Sequence, residues 1–177
     1  SSIKNLLIFL SPEISVIIPV FNPGKYINQI CDSFANQTFK NYEIIVVDDD
    51  HSKEFCDLKM RLEALSVDLK LRVVFLKTAF RSSGPAAARN LGLDIASAPK
   101  ITFFDCDDYW HSSYLERMSI EIDKLSTDII VCNSITKING KSFQLKLPRE
   151  YGRRRLLQTN ILSMPCVMIK SDKFKGK

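Results

Sequence analysis

The sequence predicts an α/β fold with a mostly parallel central sheet flanked by helices. Three observations predict it. Apolar, β-branched runs alternate with helix-period segments in the order β-α-β-α-β-α-β. The early runs are apolar at successive positions, as strands covered on both faces must be. Several of them end abruptly in Asn or Asp, on the rim where open α/β sheets bind ligands.

Each element follows from its residues. ISVIIPV at 14–20 is a buried strand, and Phe21-Asn22-Pro23-Gly24 is the turn that leaves it. Tyr26, Ile27, Ile30 and Phe34 share one face of a helix over 25–36. EIIVV at 43–47 is a second buried strand, ending in Asp48, Asp49 and Asp50. A polar helix over 53–65 carries Phe55, Leu58, Leu62 and Leu65 as its inner stripe. LRVVFL at 71–76 is the third strand. Pro85 opens an Ala-rich helix suited to close packing on a sheet, and Pro99 closes that stretch. ITFF at 101–104 is the fourth strand and runs into Asp105-Cys106-Asp107-Asp108. Ser113 with Glu116 reads as a capping box for a helix over 114–125. DIIVC at 128–132 is a fifth strand. Asn139-Gly140 signals a hairpin with 143–147 returning, followed by a basic helix over 150–158 and a last strand over 166–169.

The chain has 177 residues, 45% hydrophobic and 25% charged, which fits one globular domain and excludes a disordered or collagenous chain. Its net charge of +5 hides a division. Residues 1–136 carry 14 Lys and Arg against 18 Asp and Glu, a net of −4. Residues 137–177 carry 11 against two, a net of +9. Five cysteines, with no CxxC pair, argue for reduced thiols rather than a disulfide framework or a zinc site. The apolar run at 6–10, even counted from Ile3, is far short of a membrane span, and neither a basic leader nor a small-residue cleavage site flanks it. These features lead to a cytoplasmic protein with an N-terminal extension at 1–13, a core at 14–135 and a basic region at 136–177.

The strand ends carry the chemistry. Asn22, three aspartates after the second strand and Asp105, Asp107 and Asp108 after the fourth are expected on one rim. Six gathered carboxylates repel one another, and a divalent cation relieves that repulsion. Oxygen ligands suit Mg²⁺ or Mn²⁺, which leave positions open for phosphate oxygens. The pattern therefore points to a metal-dependent enzyme acting on a diphosphate-bearing substrate. Asp after a strand also makes turns and caps helices, and that reading applies most to Asp50 and Asp108.

Four segments, in order, resemble the family 2 glycosyltransferases: ISVIIPVFN at 14–22, QTFKNYEIIVVDD at 37–49, GPAAARNLG at 84–92 and FFDCDDYW at 103–110. The resemblance covers 14–135 well and 136–170 loosely. It implies a GT-A fold, a nucleotide-sugar donor, typically a UDP-sugar, and inversion at the anomeric carbon. It implies a nucleotide site of Pro19, Phe21, Asn22, Asp49, Arg89, Asp105 and Cys106, with Asp49 accepting from the base. It places Mn²⁺ or Mg²⁺ on Asp107, with Asp105 beside it. It also implies a glycan or lipid-linked acceptor.

Three departures accompany it. The family's general base follows the metal motif, and none of the acidic residues after Asp108 suits that role, so the base is expected beyond Lys177 and the chain is expected to be incomplete. Asp50-His51-Ser52 stands where many relatives have Gly-Ser after the two aspartates, and His51 is expected to face solvent, as is His111. The basic tail, with Arg149, Arg153, Arg154 and Arg155, reads as a solvated face or as an attraction to an anionic membrane surface at the inner leaflet. No aromatic stacking platform is interleaved with the charge, so nucleic acid is not the expected partner. A nucleotide-sugar-binding fragment without transfer activity and a HAD-like Mg-dependent phosphatase are the alternatives. The phosphatase is disfavoured because its DxD follows the first strand, whereas this one follows the fourth.

Overall fold

The structure is a computed structural model, and it describes residues 11–138, 140–145 and 163–173. Its elements are β1 (Ile14–Val20), α1 (Ile27–Ala35), β2 (Tyr42–Asp48), α2 (Lys53–Leu69), β3 (Arg72–Lys77), α3 (Pro85–Ile95), β4 (Lys100–Phe103), α4 (Tyr114–Lys124), β5 (Ile129–Val131), β6 (Ser134–Ile138), β7 (Lys141–Leu145) and β8 (Val167–Lys170). Six strands form one sheet in the order β3-β2-β1-β4-β8-β5. The first four in that order are mutually parallel. β8 is antiparallel to both β4 and β5.

β1 and β2 lie inside the sheet and are almost fully buried, which is why their sequences are apolar on both faces. β3, at one edge, is half-exposed. The run at 128–132 does not join β4. β8 takes that place, and β5 becomes the opposite edge. Burial explains the exchange: Val167, Met168 and Ile169 are buried, whereas Ile129 is 50% exposed.

Each face of the sheet has its own apolar layer. One gathers Ile18, Phe34, Val46, Leu58 and Leu62 with Phe104, Trp110 and Leu115, under α1, α2 and α4. The other gathers Ile17, Ile45, Ala88 and Ile101 under α3. α3 approaches the sheet closely at Gly92, where an added Cβ would lie 2.5 Å from Ile17 Cγ2. The glycine is there because a side chain does not fit between helix and strand.

Two expectations need correction. The capping box at α4 does not form: Ser113 makes no side-chain cap, its hydroxyl meets His111 Nδ1 at 2.9 Å, and Glu116 accepts from the Thr38 hydroxyl at 2.8 Å. A tertiary contact to the α1–β2 connection has replaced the local one. The hairpin return is Lys141–Leu145, two residues earlier than expected, and β6 and β7 form a separate two-stranded sheet. The apolar run at 6–10 and the basic segment over 150–158, with Arg149, lie outside the described residues. Among the described residues no helix is long and apolar enough to cross a membrane.

Candidate functional site

The carboxyl ends of β1, β2 and β4 open on a cavity of about 540 Å³. Pro19, Phe21, Asn22, Asp49, Arg89, Asp105, Cys106 and Asp107 all line it. These eight residues of the expected nucleotide and metal site therefore reach one space, whereas Asp48, Asp50 and Asp108 do not line it. Lys25, Tyr26, Ser82 and Pro85 line it too, and sequence reasoning missed them. Their signal was adjacency: Lys25 and Tyr26 follow the turn after β1, Ser82 precedes the 84–92 motif, and Pro85 lies within it. A second cavity, of about 410 Å³, lies between the Gly24–Tyr26 turn and α2, beside Asp57, Met60 and Arg61.

β1 delivers Phe21 and Asn22 through a backbone with Asn22 at φ 50°, a left-handed conformation that Asn tolerates. Phe21 stays 46% exposed at the cavity mouth, with the Arg81 guanidinium 5.3 Å from its ring.

The three aspartates after β2 do not face the cavity together. Asp48 Oδ1 accepts from the backbone N–H groups of Asp50 and His51 at 3.0 and 2.8 Å, forming the turn into α2. Asp50 pairs with Arg81 at 2.9 Å. Burial alone would raise the Asp50 pKa, but hydrogen bonds from Ser52, Arg81 and the Asn22 backbone hold it below the usual range. Asp49 alone lines the cavity. Its Oδ1 accepts from the Thr78 hydroxyl and Ser83 N–H, both at 2.8 Å, and its Oδ2 accepts from Gly84 N–H at 2.9 Å. Burial opposes its charge, yet those three bonds and nearby His51 hold its pKa below the ordinary range. The rim of six repelling carboxylates is thus not what forms, because three of them are consumed by loop N–H groups and Arg81.

His51 does not face solvent freely. It is half-buried, and its Nε2 lies 3.1 Å from the Thr78 carbonyl oxygen. Its φ of 56° places it in the left-handed region, which turns the chain between β2 and α2.

After β4, Asp105 Oδ1 accepts from Arg89 at 2.6 Å, which joins α3 to the acidic loop. Asp107 is exposed and forms no hydrogen bond or ion pair among the described residues. Asp108 is half-buried, and burial, then the charges of Asp107 and Asp105, push its carboxyl up to about 6. Cys106 is buried beneath the loop, its thiol 3.4 Å from the Pro19 carbonyl oxygen, and burial pushes it up to about 12. It is a wall of the cavity rather than a nucleophile. Trp110 fixes the loop from below: it stacks on Tyr114 at 4.2 Å, meets Phe104 edge-on at 5.0 Å and donates Nε1–H to the Pro165 carbonyl at 2.9 Å.

Among the described residues no three His, Cys, Asp or Glu side chains meet to cage a metal ion. The donor set on offer is one free carboxylate, Asp107, beside one shared with Arg89. Such a set fits a hard cation that takes most of its ligands from phosphate and water.

Comparison with known proteins agrees with this geometry. The sequence profile described as glycosyl transferase family 2 matches residues 15–171. Glycosyltransferase GlyG of Streptococcus pneumoniae is 32% identical over 127 residues, covering 70% of this chain and 40% of GlyG. The poly(ribitol-phosphate) beta-N-acetylglucosaminyltransferase TarS of Staphylococcus aureus is 30% identical over 140 residues, covering 78% of this chain and 23% of TarS. The crystal structure of TarS 1–349 in complex with UDP superposes with a TM-score of 0.69 at 25% identity, covering 92% of this chain and 48% of that one. The chain thus spans well under two thirds of the relatives it matches. The sheet order, the four ordered motifs and these matches agree: the fold is of the GT-A type, and the chain belongs to glycosyl transferase family 2.

Proposed function

We propose that the chain carries the donor-binding part of a glycosyltransferase that moves a sugar from a UDP-sugar to a glycan or lipid-linked acceptor, with inversion. One observation carries this reading: eight residues from three separate strand ends and α3 line a single cavity large enough for a nucleotide. The TarS relative, solved with UDP, supports the choice of base.

In this reading Phe21 and Pro19 flank the base, and Asp49, already polarised by three donors, accepts from it. Asp107 and Asp105 hold Mg²⁺ or Mn²⁺. The cation, when bound, neutralises charge on the departing diphosphate. Two cationic side chains also line the cavity. Arg89 is committed to Asp105, which leaves Lys25 to meet phosphate, since no carboxylate pairs with it among the described residues. The net +9 of residues 137–177 suits an acceptor that carries phosphate, or an anionic lipid surface that presents one. The HAD-like phosphatase is set aside by the family match.

Calorimetric titration with UDP, GDP and inorganic phosphate, each with and without Mn²⁺, tests the proposal. UDP is expected to bind best, and Mn²⁺ to tighten it by about tenfold, or ~1.4 kcal/mol. Asp107→Ala is expected to abolish the metal effect without lowering thermal stability, because the side chain is exposed and unpaired. A folded protein that ignores UDP in Mn²⁺, or binds phosphate without preferring a nucleotide, contradicts the proposal.

A further inference from the structure

Cys132 and Cys166 meet where β5 leaves the sheet and β8 enters it. Val131 and Val167 are register partners in the antiparallel pair, so the two cysteines sit one step beyond, opposite each other. The Cys132 N–H donates to the Cys166 carbonyl oxygen at 3.0 Å, and the two thiols hydrogen-bond to each other. Both side chains are half-buried. Opposed positions on adjacent strands are close enough for a disulfide after side-chain rotation alone.

The two sulfurs are not equivalent. The Cys132 thiol donates to the Cys166 sulfur, and the hydroxyls of Ser134 and Ser163 add to that stabilisation of its thiolate. Cys166 is therefore lowered below the usual thiol range, against the opposing effects of burial and the Asp108 charge. Cys132 is raised, by its donated hydrogen bond and by burial. The two side chains thus form one hydrogen-bonded pair at the junction of β5 and the Met164–Cys166 turn.

We propose that Cys132 and Cys166 form a reversible oxidation site, in which a hydroperoxide converts the pair to a disulfide. The Cys166 thiolate attacks the peroxide, its sulfur takes one oxygen, and the O–O bond breaks to release hydroxide or alkoxide, which takes up a proton. The Cys132 sulfur then displaces hydroxide from the Cys166 sulfenic acid, its own proton leaves with that hydroxide as water, and the S–S bond forms. The pair loses two electrons to the peroxide, and an external dithiol restores them by exchange. The bridge would tie β5 to the Met164–Cys166 turn, whose Pro165 carbonyl anchors Trp110 beneath the acidic loop.

The test is hydrogen peroxide treatment of the whole protein, followed by peptide mapping under non-reducing conditions. A linked pair of peptides containing Cys132 and Cys166 is expected, about 2 Da lighter than the two reduced peptides and separated by dithiothreitol. The melting temperature is expected to rise on oxidation and to return on reduction. Cys132→Ser is expected to leave Cys166 accumulating higher oxides; should that variant fail to fold, the mapping of the natural sequence suffices. Recovery of both cysteines as free thiols while exposed Cys56 oxidises overturns the proposal, as does sulfinic acid at Cys166 without a bridge.

Discussion

Asp49 holds a loop with the carboxylate that the sequence assigns to a ligand. Three donors converge on it, from Thr78, Ser83 and Gly84. Hydrogen bonds to a charged acceptor are worth about 1.5–3 kcal/mol each. Asp49→Ala is therefore expected to cost about 2–3 kcal/mol in urea denaturation as well as nucleotide binding, whereas Asp107→Ala costs only binding. Glu43 offers a separate residue-scale test. It is fully buried, accepts from Ser15 at 2.6 Å and from Ser97 N–H and hydroxyl at 2.8 Å, and pairs with Arg72. Burial opposes its charge, and those partners outweigh burial, so its folded pKa is lowered. A lowered carboxylate contributes stability above its unfolded pKa, about 4.3, and that stability fades as pH falls through the folded value. Glu43→Gln is expected to flatten the acid limb of a stability–pH curve and to leave a less stable protein at pH 7. An unchanged acid limb would show that Glu43 does not set it.

At the scale of elements, α3 is where helix and sheet fit most tightly. Gly→Ala in an exposed helix stabilises by about 1 kcal/mol. At Gly92 the new methyl would meet Ile17 Cγ2 at 2.5 Å, so the sign reverses. Gly92→Ala is expected to destabilise by about 1–3 kcal/mol in chemical denaturation, the range of an overpacked core. A stabilised variant would mean that α3 sits farther from β1 than described. Elements legible in the sequence are those whose residues decide locally: β1 follows from its apolar run, and α3 from Pro85 at its start. α4 was found for a partly wrong reason. Its amphipathic face is real, but Glu116 answers Thr38 rather than the helix terminus, and nothing in a local pattern encodes that partner.

For the whole molecule, the residues that line the cavity were legible where the strand order was not. The motifs name Asp49, Asp105 and Asp107 without knowledge of strand order, because each lies within a few residues of its strand's carboxyl end. The place of β8 between β4 and β5 was not legible, since it depends on a strand reached through residues 146–162. The roles of Asp48 and Asp50 were also hidden: a run of three aspartates looks like one acidic patch until the φ of 56° at His51 turns the chain and Arg81 returns across it. The strand-end architecture makes a spatial claim that does not depend on catalysis. Binding of UDP with Mg²⁺, followed by amide chemical shifts of the ¹⁵N-labelled protein, reads that claim directly. The largest shifts are expected at Phe21, Asn22, Asp49, Gly84, Asp105 and Asp107, with Asp57, Met60 and Arg61 beside the second cavity unmoved. Shifts centred on Asp57, Met60 and Arg61, or none at the strand ends, would contradict it.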